Sequence, residues 1–200
     1  MFCPSARHAA NPEKLALGPP RLGLDGHEIS MNMAAAQAKS PCPGCGGLFP
    51  DTDAPGSAHA YLGASHGCWA VYCDILAKEY GEYKYPEVHR LTVDSYAAQH
   101  PGTPSRQSIQ SVAGHLISLY LVLERGMNAK RATAAIRKAI EQSHHFMWLP
   151  PPPSLGALTV LDVVGAKNID EHTSRVQQWA RSVWETWTPH HQTIQKWAER

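Results

Sequence analysis

Cys42-Pro-Gly-Cys45-Gly puts two thiols two residues apart in one turn, a spacing from which both sulfurs can bind a single metal ion. Pro43 pre-sets one backbone angle, while Gly44 and Gly46 permit positive dihedrals that would aim backbone N–H groups at sulfur. The turn has the form of a zinc knuckle. No second Cys-x-x-Cys occurs in the chain to complete a four-sulfur site. A dithiol redox pair is the other chemical use of this spacing, but it wants a strand–turn–helix setting that the neighbouring residues do not offer. The bland alternative is a plain loop with two thiols.

Further ligand types gather between Pro86 and Gly102, where PEVHRLTVDSYAAQHPG carries His89, Asp94, Tyr96 and His100. His89 and His100 share a helix face but lie about 16 Å apart along it, so they cannot hold the same ion. Folding the neighbouring helices as antiparallel hairpins gives two pairings. Cys68 falls level with His100, and His115 falls within a residue of the level of His89. Cys42, Cys45, Cys68 and His100 would then form a closed Cys₃His site of the structural kind. His89 and His115 would form a second, open site of the kind that can do chemistry, with Asp94 or Tyr96 as general acid/base or as a group orienting the ligands. Against this, Cys68 also suits a small packed side chain and His115 a satisfied boundary histidine. Asp94 and Tyr96 also suit a buried hydrogen-bonded pair or a solvated face.

These residues must be positioned by helices. Ser65 is a fitting N-cap for a helix over 66–80, whose Trp69, Tyr72 and Leu76 fall on one face. A second helix over 87–99 ends at His100 because Pro101 and Gly102 follow. Thr103 as N-cap and Pro104 at the first helical position open a third, in which Ile109, Val112, Leu116, Leu119 and Leu123 form an apolar stripe. Asn128 caps a basic helix over 129–142. HHFMWLPPPP reads as an extended connector. LTVLDVV at 158–164 suits strand or helix and is taken as helix. A helix from Asp170 carries Val176, Trp179, Val183 and Trp187 on one face, and Pro189 starts a last short one. The expected fold is all-α, a bundle of about six helices preceded by the knuckle-like turn.

The expected organisation is a disordered extension over 1–40, with Met31 a candidate natural start, and one helical domain over 41–200. Within that domain, 41–65 is knuckle and loop, 66–126 a three-helix core, and 127–200 the C-terminal helices with a Pro-rich connector near 150–153. Hydrophobic residues make up 43% of the 200, enough for one core. No run of about 18 apolar residues occurs, so no membrane span is expected, and no signal peptide is evident. Cytoplasm is the default compartment. With a net charge of +1 and no block of Lys or Arg, the chain lacks the footprint of a nucleic-acid binder. Five Cys read better as metal ligands and spare thiols than as a disulfide framework.

The strings PCPGCGG, SHGCW, HRLTVDSYAAQHPG, QSIQSVAGHLISLYLVLERG, SLGALTVLDV and WARSVWETW resemble a bacterial family catalogued only as a domain of unknown function, over about residues 41–200. The resemblance implies a prokaryotic protein without an assigned activity and carries over no catalytic residue. Three functions follow from the residues. The first is a zinc-binding helical protein whose metal staples the turn to the bundle. The second is a metal-dependent enzyme of hydrolase or transferase type using a His-rich site. The third is a homo-oligomerising or partner-binding module built on the Trp-rich C-terminal helices, where four of the six Trp lie. A small-molecule substrate is unspecified.

Overall fold

A computed structural model describes residues 38–51, 58–141 and 146–199. Two three-residue strands, β1 (Lys39–Pro41) and β2 (Leu48–Pro50), pair antiparallel with Ser40 opposite Phe49. The Cys-Pro-Gly-Cys turn is the tip of this hairpin, so the expected turn sits on a short ladder. The hairpin begins at Lys39, two residues inside the stretch read as an extension; the first 37 residues lie outside the described ones. Cys42 N–H donates to Gly47 O and Gly46 N–H to Cys42 O, both at 2.9 Å, which closes the tip.

Seven α-helices follow among the described residues: α1 (His66–Tyr80), α2 (His89–Gln99), α3 (Arg106–Leu123), α4 (Ala129–Glu141), α5 (Val160–Val164), α6 (Ile169–Thr186) and α7 (His191–Ala198). A single 3₁₀ turn, Thr188–His190, joins the last two. The all-α bundle is as the sequence indicates. α3 lies at its centre, packed against α2, α4, α6 and α7, while α1 packs chiefly on α5.

Local chemistry sets the helix starts. Ser65 Oγ accepts Cys68 N–H at 3.3 Å and caps α1. α3 begins later than expected, because Ser105 rather than Thr103 is the cap. Its hydroxyl accepts from Ser108 N–H, and the Ser108 hydroxyl accepts from Ser105 N–H, a reciprocal box to which Thr103 lends only its carbonyl, accepting from the Ser108 hydroxyl at 2.6 Å. Thr159 and Asp162 make a second such box and decide the 158–164 ambiguity for a short helix. Asn128 caps α4 and Asn168 caps α6 through their side-chain oxygens.

The C-terminal Trp residues belong to the core. Trp179, Trp184, Trp187 and Trp197 are all buried. Trp179 donates its indole N–H to Gln99 Oε1 at 3.1 Å, and Trp184 donates to Glu124 Oε1 at 3.0 Å. A partner surface therefore has no exposed indole on α6 or α7 to build on. His191 stacks flat on Trp184, and His190 meets the carbonyl of Pro150, so these adjacent histidines serve packing. The His144–His145 pair lies outside the described residues.

Candidate metal centre

Three segments converge on one point beneath the hairpin tip. The turn brings Cys42 and Cys45, the first turn of α1 brings Cys68, and the C-terminus of α2 brings His100. The four donor atoms all lie within 4.8 Å of one another. Cys45 Sγ and Cys68 Sγ are 3.8 Å apart, and Cys68 Sγ lies 3.3 Å from His100 Nε2. Two sulfurs each about 2.3 Å from a shared tetrahedral centre stand about 3.8 Å apart. A disulfide needs about 2.05 Å. The spacing is that of ligands, and Cys42, Cys45 and Cys68 are free thiols.

The surroundings hold the donors in this arrangement. His100 Nδ1 donates to the carbonyl of Tyr96 at 2.7 Å, since a carbonyl can only accept. In the neutral ring this leaves Nε2 without a proton, with its lone pair toward the sulfurs, the orientation that outer hydrogen bonds give to metal-bound histidines. Ser65 serves two ligands, capping the helix that carries Cys68 and donating its backbone N–H to Cys42 Sγ at 3.4 Å. Tyr96 stacks on Tyr72 with centroids 3.8 Å apart and donates its hydroxyl to Cys68 Sγ at 3.7 Å. Burial, and then the neighbouring Cys68, push the Tyr96 phenol far above its ordinary value. It is a hydrogen-bond donor beside the site.

Gly44 is required for a reason other than the one its sequence suggests. It does not have a positive φ; Gly46 does, at 73°. Instead a Cβ at Gly44 would lie 2.4 Å from His100 Cδ2 and 2.8 Å from the carbonyl oxygens of Gln99 and Gly63. Only glycine lets the turn approach the end of α2 this closely.

Electrostatics favour a cation at the centre. Hydrogen bonds from Cys45 and Cys68 hold the Cys42 thiol well below its usual range, outweighing burial. Its partners shift the other way: the bond to Cys42, together with burial, pushes Cys45 up to about 12. Cys68 is driven higher still by its bonds to Cys42 and Cys45 and by burial. Three thiols this close cannot all ionise by themselves, and a divalent cation is what would stabilise three thiolates together.

The two histidines of the second expected pair each meet a different carboxylate. His89 Nδ1 lies 2.7 Å from Glu79 Oε2 on α1, whereas His115 Nδ1 lies 2.7 Å from Asp94 Oδ1 on α2. His115 thus meets the residue five positions beyond His89 on α2. Asp94 is fully buried and also accepts from Arg90 Nε at 2.9 Å and from the Ser118 hydroxyl. Tyr96 is not in that network. Glu79 is a polar centre that the sequence reading does not identify: buried, it takes His89, His172 Nε2 at 2.7 Å and the Thr92 hydroxyl at 2.6 Å. Burial pushes its carboxyl up, but the bonds from His172, His89 and Thr92 outweigh that and hold it below the ordinary range. Its position carries the signal, since Glu79 continues the stripe of Tyr72, Ile75 and Leu76.

The fold and site define a helical protein with a buried Cys₃His group that can hold a metal ion. The chain matches, over residues 40–188, the model of a family of unknown function, DUF5946. It belongs to that family. No curated protein and no solved structure matches it.

Proposed function

We propose that this protein is a zinc protein whose ion, held by Cys42, Cys45, Cys68 and His100, is structural and staples the hairpin onto α1 and α2. The observation that carries the reading is the donor set: three thiols and one oriented imidazole within 4.8 Å, drawn from three segments. Sulfur and nitrogen without oxygen is the set preferred by zinc over calcium or magnesium, and four protein donors fill a tetrahedron. No position is left for a substrate, which is why a structural role is favoured over catalysis at this ion.

Elemental analysis of purified protein is expected to give about one zinc per chain. Cys42→Ser with Cys45→Ser is expected to abolish it and to lower the melting temperature, because ligand binding adds directly to folding free energy. Full zinc content in the double variant would refute the assignment. A different metal at full occupancy, lost in the same variant, would refute zinc while keeping the site.

A further inference from the structure

A groove runs between the start of α2, the middle of α3 and α4, away from the cysteines. It consists of two cavities of about 650 and 370 Å³ that share Arg90, Thr133 and Arg137 in their walls. Cavities of a few hundred Å³ are the size that holds small molecules. Arg90, Lys130 and Arg137 line the groove against one carboxylate, Glu87, and both His89 and His115 reach its wall. The field inside favours an anion.

Two of these side chains are clamped from behind by the same carboxylate. Arg90 gives its inner nitrogen, Nε, to Asp94 Oδ2 and to Ser118 Oγ, each at 2.9 Å. Its two terminal nitrogens have no acceptor among the described residues, although the side chain is only 23% exposed. A guanidinium edge so placed presents the planar fork that matches phosphate oxygens. His115 likewise donates Nδ1–H to Asp94 and leaves Nε2 without a partner among the described residues. The Arg90 fork, fixed in this way, loses little freedom when an anion arrives.

The other end of the larger cavity is aromatic. Tyr85 lines it, is 60% exposed, and has its ring 4.3 Å from that of His89. Lys84 and Tyr85 both adopt positive φ, 52° and 61°, a conformation disfavoured for residues with a side chain. The turn is held there by Tyr85 N–H donating to Glu79 O at 2.6 Å. Strain of this kind is retained where a side chain must be presented in one direction.

We propose that this groove binds a phosphorylated small molecule carrying a planar ring, the mononucleotide class. The phosphate would lie on the free edge of Arg90 with Arg137 beside it, and the ring would stack on Tyr85. The groove shares no residue with the cysteine cluster, so this proposal stands or falls independently of the zinc reading. The competing account is that Asp94, Arg90 and His115 only brace α2 against α3 while α4 presents an ordinary charged face.

Calorimetric titration of the full chain with AMP, inorganic phosphate and adenosine separates the two. AMP is expected to bind saturably with a dissociation constant below about 1 mM, and phosphate or adenosine alone more weakly. Arg137 is exposed, so Arg137→Glu should leave the melting temperature unchanged while weakening AMP about tenfold to hundredfold. Arg90→Lys keeps a cation for Asp94 but not the fork and should weaken AMP and phosphate alike. Tyr85→Ala should lower AMP affinity toward that of phosphate and leave phosphate unchanged. Absence of saturable binding of both AMP and phosphate, or unchanged AMP affinity in Arg137→Glu, would overturn the proposal. Equal affinity for phosphate and AMP would overturn the placement of the ring.

Discussion

Adding one methyl group at Gly44 tests the site without altering any ligand. The new carbon would stand 2.4 Å from the His100 ring and 2.8 Å from two backbone carbonyl oxygens, so something must move. The ring cannot swing aside cheaply, because it is fully buried and tied at Nδ1 to the Tyr96 carbonyl. The relief available is for the hairpin tip to lift off the end of α2, which separates Cys42 and Cys45 from His100. Overpacking of this kind costs about 1–3 kcal/mol. For a chain of this size that corresponds to a melting temperature lower by about 2–12 °C. Gly46→Ala is the control. Gly46 carries the positive φ, and a methyl group there would meet nothing within 4 Å. Its penalty of about 1–2 kcal/mol therefore stays within the turn. The two variants are expected to melt over a similar range but to part on metal. Competition against a chromogenic chelator should show Gly44→Ala surrendering its ion far more readily than Gly46→Ala. Equal retention would refute the argument that the close approach of Gly44 sets the ligand geometry.

Three further outcomes are expected. His100→Ala should weaken metal retention, whereas His115→Ala should leave metal content unchanged and cost about 1–3 kcal/mol in thermal melts, by depriving buried Asp94 of a donor. Glu79→Gln should destabilise by about 2–4 kcal/mol at neutral pH, since two imidazoles and the Thr92 hydroxyl lose an ionised acceptor. Because the Glu79 carboxyl is held below its ordinary range in the fold, its contribution is fully present above the unfolded value of about 4.3 and is lost as pH falls through the lower folded value. The stability gap between wild type and Glu79→Gln, followed by melts across that window, should therefore close on acidification; a constant gap would contradict the sign of the shift.

The Cys₃His group is legible in the sequence because its ligand types are scarce and the two helices that carry Cys68 and His100 have sharp bounds. Ser65 fixes one end and Pro101 with Gly102 the other, so counting residues from the intervening turn places the ligands at one level. The same counting does not foresee the partners of His89 and His115, because each turns to a buried carboxylate, Glu79 or Asp94, that residue levels alone do not single out. The β1–β2 ladder leaves no trace of alternation, being three residues a side with a proline in each strand. Glu79 is hard to read because a single carboxylate within an apolar stripe gains its meaning from His172, ninety-three residues away, and no local pattern announces that distance.

The four ligands span only Cys42 to His100, whereas the partners of Gln99 and Glu79 on α6 begin at His172. A growing chain on the ribosome therefore completes its set of thiols and imidazole long before the helix that seals α1 and α2 has been made. During that interval an ion would clip the hairpin to two helix ends with their polar core groups still facing water. Capture of the ion would then precede closure of the bundle, and the late arrival of Trp179 and His172 would lock a register that the cysteines had already chosen.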